Sequence, residues 1–130
     1  MHRKYQQLNN QELISLLQNG GVLVDIRRPE EWRLTGVVDG SHLLTFFAQD
    51  GSSEPLVWLE QLAQLVPEEQ PLALLCRSGY RTGLICDFLL EVTPQREIYN
   101  VTEGVLGWLA AGLPVETPDK LLESAPKTQS

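Results

Sequence analysis

Cysteine is scarce in this sequence. It occurs twice, as Cys76 and Cys86, with no Cys-x-x-Cys pair, which excludes a disulfide scaffold and a cysteine-rich metal centre. The two histidines, His2 and His42, lie far apart, so no metal-ligand cluster can be read. Basic residues are outnumbered, 10 against 17 acidic, and the net charge is −7. That balance argues against nucleic acid, whose partners carry a basic face, and against docking on an anionic membrane. No apolar run approaches the roughly 20 residues that span a bilayer. The polar segment Met1-His2-Arg3-Lys4-Tyr5-Gln6-Gln7 carries no apolar signal core. A reduced, cytoplasmic setting is the expectation, and in it a thiol stays free. There is no internal repeat and no low-complexity block.

What is present suits a soluble globular unit. The chain has 130 residues, of which 42% are hydrophobic and 21% charged, enough to bury one core without disulfide staples. Residues 1–116 are expected to form a single domain, and 117–130 a polar, flexible tail containing Pro118 and Pro126. A helix is expected over Asn9–Gly20, with Asn9 as cap and Leu13, Ile14, Leu16 and Leu17 as its apolar stripe. Val22–Ile26 follows as a nearly all-apolar run, the pattern of a strand buried on both faces. Pro29 opens a short helix over Glu30–Leu34. A β-like piece at Val37-Val38 and a short strand at Leu43–Phe47 come next. Pro55 starts a helix that Pro67 ends. The spacing then predicts a strand at Leu72–Leu75, a helix over Thr82–Val92, a strand at Ile98–Val101 and a helix over Gly104–Ala111. Strands alternating with helices point to an α/β fold with a mainly parallel sheet, and such sheets bind ligands at the carboxyl ends of their strands.

Cys76 stands at one of those ends. A buried strand delivers it, the loop Cys76-Arg77-Ser78-Gly79-Tyr80-Arg81 follows, and a helix is expected to begin near Thr82. If the loop curls round the sulfur, successive backbone N–H groups make an anion nest, and the helix N-terminus adds partial positive charge. Arg81 adds a full charge, while Arg77 either joins it or faces solvent. Each of these favours thiolate over thiol, and the thiolate is the nucleophile. Gly79 supplies the freedom for a tight turn. The Ser78 hydroxyl can donate to a bound sulfur, Thr82 can cap the helix, and Gly83 can let helix and loop approach closely. Cys86, inside Gly83-Leu84-Ile85-Cys86-Asp87-Phe88, reads instead as a small core hydrophobe. Trp32, Trp58 and Trp108 also read as core. His42, near the rim, is a candidate proton shuttle, although a preformed thiolate needs no base.

The loop resembles the active-site loop of the rhodanese family: a cysteine, four residues and an arginine, often beginning Cys-Arg-Ser-Gly. Two further segments are similar to family signatures. They are Asp25-Ile26-Arg27-Arg28-Pro29-Glu30-Glu31-Trp32 and Trp108-Leu109-Ala110-Ala111-Gly112-Leu113-Pro114-Val115. All three fall in family order across roughly residues 8 to 116. Two segments depart from the pattern: Gly36-Val37-Val38-Asp39-Gly40-Ser41 fits only loosely, and the usual Gly-Gly before the last tryptophan is Glu103-Gly104.

The resemblance implies a three-layer α/β/α fold and a two-step sulfur transfer. Cys76 takes sulfur from a small anionic donor such as thiosulfate, holds it as a persulfide, and passes it to a thiophilic acceptor, a thiol or a protein. Arg77, Ser78, Gly79, Tyr80 and Arg81 would bind the substrate, and no metal or organic cofactor is implied. Asp25, Arg27 and Glu31 read as structural, through hydrogen bonds and an ion pair that fix the sheet edge. A persulfide carrier or binding module for one dedicated protein is the alternative. A phosphatase or arsenate reductase fits less well. Those loops usually place five residues between Cys and Arg, and Leu75 stands where tyrosine phosphatases often have histidine.

Overall fold

The computed structural model describes residues 5–119; the expectation for the tail falls mostly outside them. Among the described residues, five strands and five helices alternate: β1 (Gln6–Leu8), α1 (Asn10–Gln18), β2 (Val22–Asp25), α2 (Pro29–Thr35), β3 (His42–Leu43), α3 (Pro55–Leu65), β4 (Leu72–Leu75), α4 (Tyr80–Val92), β5 (Ile98–Val101) and α5 (Gly104–Ala110). The strands form one sheet in the order β1-β5-β4-β2-β3, and every pairing is parallel.

The sheet is buried on both faces, which is why its strands read as continuous apolar runs. β4 shows the sorting by alternation. Leu72, Leu74 and Cys76 join Val24 and Ile26 in one cluster, closed by Trp58 and Leu62 of α3 and by Ile85, Cys86 and Leu89 of α4. Ala73 and Leu75 face the other way, toward Leu13 of α1 and Trp108 of α5. The result is helices on both faces of a parallel sheet. Trp32, Trp58 and Trp108 are all buried.

The helix starts follow local chemistry. The Asn9 side chain accepts from the Glu12 N–H while the Glu12 carboxylate accepts from the Asn9 N–H, a capping box at α1. Pro29 and Pro55 occupy first-turn positions of α2 and α3, where a missing N–H costs nothing. Among the described residues, no helix is long and apolar enough to cross a membrane.

Four expectations change. β1 is an unforeseen strand of three residues on the sheet edge. The strand expected over Leu43–Phe47 shrinks to β3; beyond it Leu44 and Phe46 donate to the Asp25 and Ile26 carbonyls without regular pairing, and the Phe46 ring packs on Trp58. Val37 and Glu116 form an isolated antiparallel bridge, so the β-like piece lies outside the sheet. α4 begins at Tyr80, two residues earlier than expected, so Thr82 lies inside the helix and does not cap it.

The strand order locates the site. From β2 the chain moves outward to β3, and from β4 it moves the opposite way to β5. The two departures open a crevice between the carboxyl ends of β2 and β4. Asp25 of β2 and Leu75 of β4 stand in register at that edge, and Cys76 is the next residue.

Candidate active site at the carboxyl end of β4

Cys76 is completely buried, whereas Arg77 and Ser78, the two residues after it, are exposed. Gly79 turns the chain back with φ 94° and ψ −8°, and its N–H reaches the Cys76 Sγ at 3.1 Å. That conformation is left-handed, and a Cβ at position 79 would also collide with the Thr102 carbonyl. Of the loop amides expected to form an anion nest, that of Gly79 donates to the cysteine sulfur itself. The Thr82 hydroxyl lies 3.4 Å from the same sulfur.

The loop backbone is held from the far side by α5. The Val105 N–H donates to the Cys76 carbonyl at 2.9 Å and the Leu106 N–H to the Arg77 carbonyl at 3.1 Å. Gly104, at φ 60°, makes this approach possible, since a Cβ there would strike both carbonyls. Gly79 and Gly104 therefore make the close packing that was expected of Gly83. A Cβ at Gly83 would meet only the Tyr5 hydroxyl, at an ordinary 3.4 Å.

Arg81 does not point freely at the sulfur. Its guanidinium donates to both Glu31 oxygens, at 3.0 and 2.8 Å, in a bidentate pair that ties α4 to α2. Glu31 bonds raise the Arg81 pKa against the lowering by burial, and the nearby Cys76 and Asp25 add to the rise. Burial pushes the Glu31 carboxyl up, but the bonds from Arg81 and the Arg28 N–H outweigh it and leave the carboxyl below its ordinary value. Arg27 and Asp25 form a second, fully buried pair at 2.7 Å. Arg27 also donates to the Thr35 hydroxyl and the Gly36 carbonyl, so it braces the β2 exit.

Tyr80 is 72% exposed on the first turn of α4, with the exposed Leu84 one turn along. His42 stands on β3 beside Val24, a full pleat below the level of Cys76 and two strands away. Burial lowers its pKa and favours the neutral ring.

Asn100 and Gln7 carry polar chemistry that the sequence reading passed over. They pair across β5 and β1 at the level of Leu74. The Asn100 amide nitrogen donates to the Gly79 carbonyl at 3.1 Å and to the Gln7 side-chain oxygen at 3.1 Å. Its oxygen meets the Thr82 hydroxyl in a short hydrogen bond. The available signal was a lone amide inside an otherwise apolar strand, Ile98-Tyr99-Asn100-Val101.

Residues 9–111 match the family model of the rhodanese-like domain. A sulfurtransferase of Allochromatium vinosum is 28% identical over 98 residues, 75% of this chain and 80% of that protein. The thiosulfate sulfurtransferase GlpE of Haemophilus influenzae is 23% identical over 113 residues, 87% of this chain and 96% of the relative. Among solved structures, Rv0390 of M. tuberculosis superposes with a TM-score of 0.74 at 26% identity, covering 88% of this chain and 99% of that one.

Proposed function

This chain belongs to the rhodanese-like domain family, and from that premise we propose that it transfers sulfane sulfur through a persulfide on Cys76. The observation that carries the proposal is the setting of that thiol. It lies at the sheet crevice with the Gly79 N–H on its sulfur and the start of α4 beside it. A preorganised donor at a sulfur that alternates between thiolate and persulfide stabilises charge without reorganising at each step.

With thiosulfate as donor, the Cys76 thiolate attacks the outer sulfur. The new S–S bond forms as the bond to the sulfonate breaks, and sulfite leaves with that electron pair. Cys76 keeps the sulfur as an anionic persulfide. An acceptor, cyanide in an assay or a thiolate in a cell, then attacks the outer sulfur and returns the cysteine thiolate. No proton moves in either step when both nucleophiles are anions, so His42 has no part. Arg77 and Ser78 are exposed at the loop tip, where an incoming anion would meet them. Arg81 acts through its charge and its hold on Glu31. Exposed Tyr80 and Leu84 beside the loop favour a protein acceptor over a small thiol.

Intact mass after incubation with thiosulfate tests the proposal. The wild type should gain one sulfur that cyanide removes, and Cys76→Ala should gain none. No gain with thiosulfate, polysulfide or a persulfide donor would overturn it. A gain that survives Cys76→Ala but not Cys86→Ala would move the site.

A further inference from the structure

The Thr82 hydroxyl has one proton and three oxygen or sulfur neighbours: the Asn100 side-chain oxygen, the Gly79 carbonyl at 3.3 Å and the Cys76 sulfur at 3.4 Å. The Gly79 carbonyl already accepts from the Asn100 amide at 3.1 Å and the Gly83 N–H at 3.2 Å, so it does not depend on Thr82. Because a carbonyl can only accept, it fixes the Asn100 nitrogen toward Gly79 and leaves the Asn100 oxygen facing Thr82. Asn100 is 3% exposed and Thr82 is fully buried, so no bulk water stands in when a bond is broken. The hydroxyl proton is thus contested between the Asn100 oxygen and the sulfur.

We infer that Asn100 is a positioning residue that opposes negative charge on Cys76 by competing with the sulfur for the Thr82 proton. This deepens the reading of Cys76 as the nucleophile and rests on it. In the thiol form the S–H donates to the Thr82 oxygen, and the hydroxyl donates onward to Asn100. An anionic sulfur can only accept, and Thr82 helps it only by turning its proton away from Asn100. The turn leaves a buried carbonyl oxygen without that donor, which is unfavourable. Asn100 therefore opposes the anion, by holding the one proton that Thr82 could give the sulfur.

The charged and titratable groups around Cys76 include Arg77 beside it in the loop, Tyr80, Arg81, Cys86 and Asp87 on α4, the Asp25–Arg27 pair at β2, and Glu31 on α2. β5 presents Asn100, and α3 presents Trp58 and Leu62, none of which titrates. The substitutions below leave every one of those charged and titratable groups in place.

The test is the pH midpoint of thiolate ultraviolet absorbance, read as the difference from Cys76→Ala. Cys86, pushed up to about 12, stays silent over most of that range. Thr82→Val removes bonds from both forms, the one its oxygen accepts from the thiol and the one its hydroxyl gives the anion, so it serves as the background in which Asn100 has no proton to contest. Thr82→Ser, which keeps the hydroxyl, should leave it near the wild-type value. Asn100→Leu should lower it by about half a unit to one unit. In the Thr82→Val background the Asn100→Leu shift should vanish, because there is no proton left to contest. An Asn100→Leu midpoint equal to wild type would overturn the inference, and so would an Asn100→Leu shift that persists without Thr82. If Asn100→Leu does not fold, Asn100→Ala or Asn100→Val removes the same oxygen. The readout needs no sulfur transfer. Midpoints that move in a protein taking up no sulfur would sink only the proposed function, and fixed midpoints in a protein that does would sink only this inference.

Discussion

Two cysteines sit ten positions apart in the same apolar cluster, both completely out of solvent, yet their surroundings differ in kind. Cys76 ends a strand and has the Gly79 N–H and the Thr82 hydroxyl against its sulfur. Cys86 lies mid-helix, and its sulfur has a long 3.8 Å contact to the Tyr99 carbonyl, an acceptor. Burial first, then Asp87 and Cys76, push the Cys86 thiol up to about 12. Burial alone therefore does not separate the thiol proposed to carry sulfur from the other one. The separation lies in whether donors or acceptors face the sulfur.

The largest effect should come from exchanging the two roles. Cys76→Ala should reduce thiocyanate formation from thiosulfate and cyanide to background, and Cys86→Ala should leave it within about twofold, an order of magnitude being the usual mark of a lost transition-state contact. Equal losses in both variants would break the comparison. Next in size, Gly79→Ala forces a side chain into a left-handed turn and onto the Thr102 carbonyl. It should cost about 3 kcal/mol by urea unfolding, combining backbone strain with overpacking.

A smaller effect is expected at the ion pair that anchors the loop. Glu31→Gln should cost about 1 kcal/mol at neutral pH. The carboxyl is lower in the folded protein than its ordinary 4.5, so its contribution is complete above that value and is lost as pH falls through the folded one. Stability of the wild type should fall more steeply than that of Glu31→Gln on acidification below about 4.5, as read from urea midpoints. A change of the same size is expected for Cys86→Ala, at about 1 kcal/mol for a small void in the core. Thermal unfolding of that variant measures the packing share of a buried cysteine without its chemistry.

Most of the fold could be read from the chain because apolar runs and helix caps are local signals. Val22–Ile26 and Leu72–Leu75 announce strands covered on both sides, and Asn9 with Glu12 announces a helix start. β1 could not be read this way. Gln6 and Gln7 carry no apolar pattern, and only pairing with Tyr99 and Asn100 makes the segment a strand. The strand beyond Leu43 was overestimated because Phe46 and Phe47 are as apolar in a packed irregular segment as in a sheet. At the site, the cysteine loop stood out by its own residues. The partners of Thr82 and Arg81 come from 18 and 50 residues away, and such contacts leave no trace in local spacing. Thr82 was assigned to a cap because caps are local, and tertiary contacts gave its hydroxyl other work.

The two bonds from α5 to the loop carbonyls have a consequence for how this protein can diversify. A peptide group carries its C=O and N–H on opposite edges. Fixing the Cys76 and Arg77 carbonyls on α5 fixes the orientation of the following amides too, whatever side chains stand at positions 77 and 78. On the proposed function, those exposed side chains are free to drift, or to be selected for a new donor or acceptor, without disturbing this main-chain geometry. On that reading chemistry is held by the main chain and recognition by the side chains, so the two can evolve at different speeds.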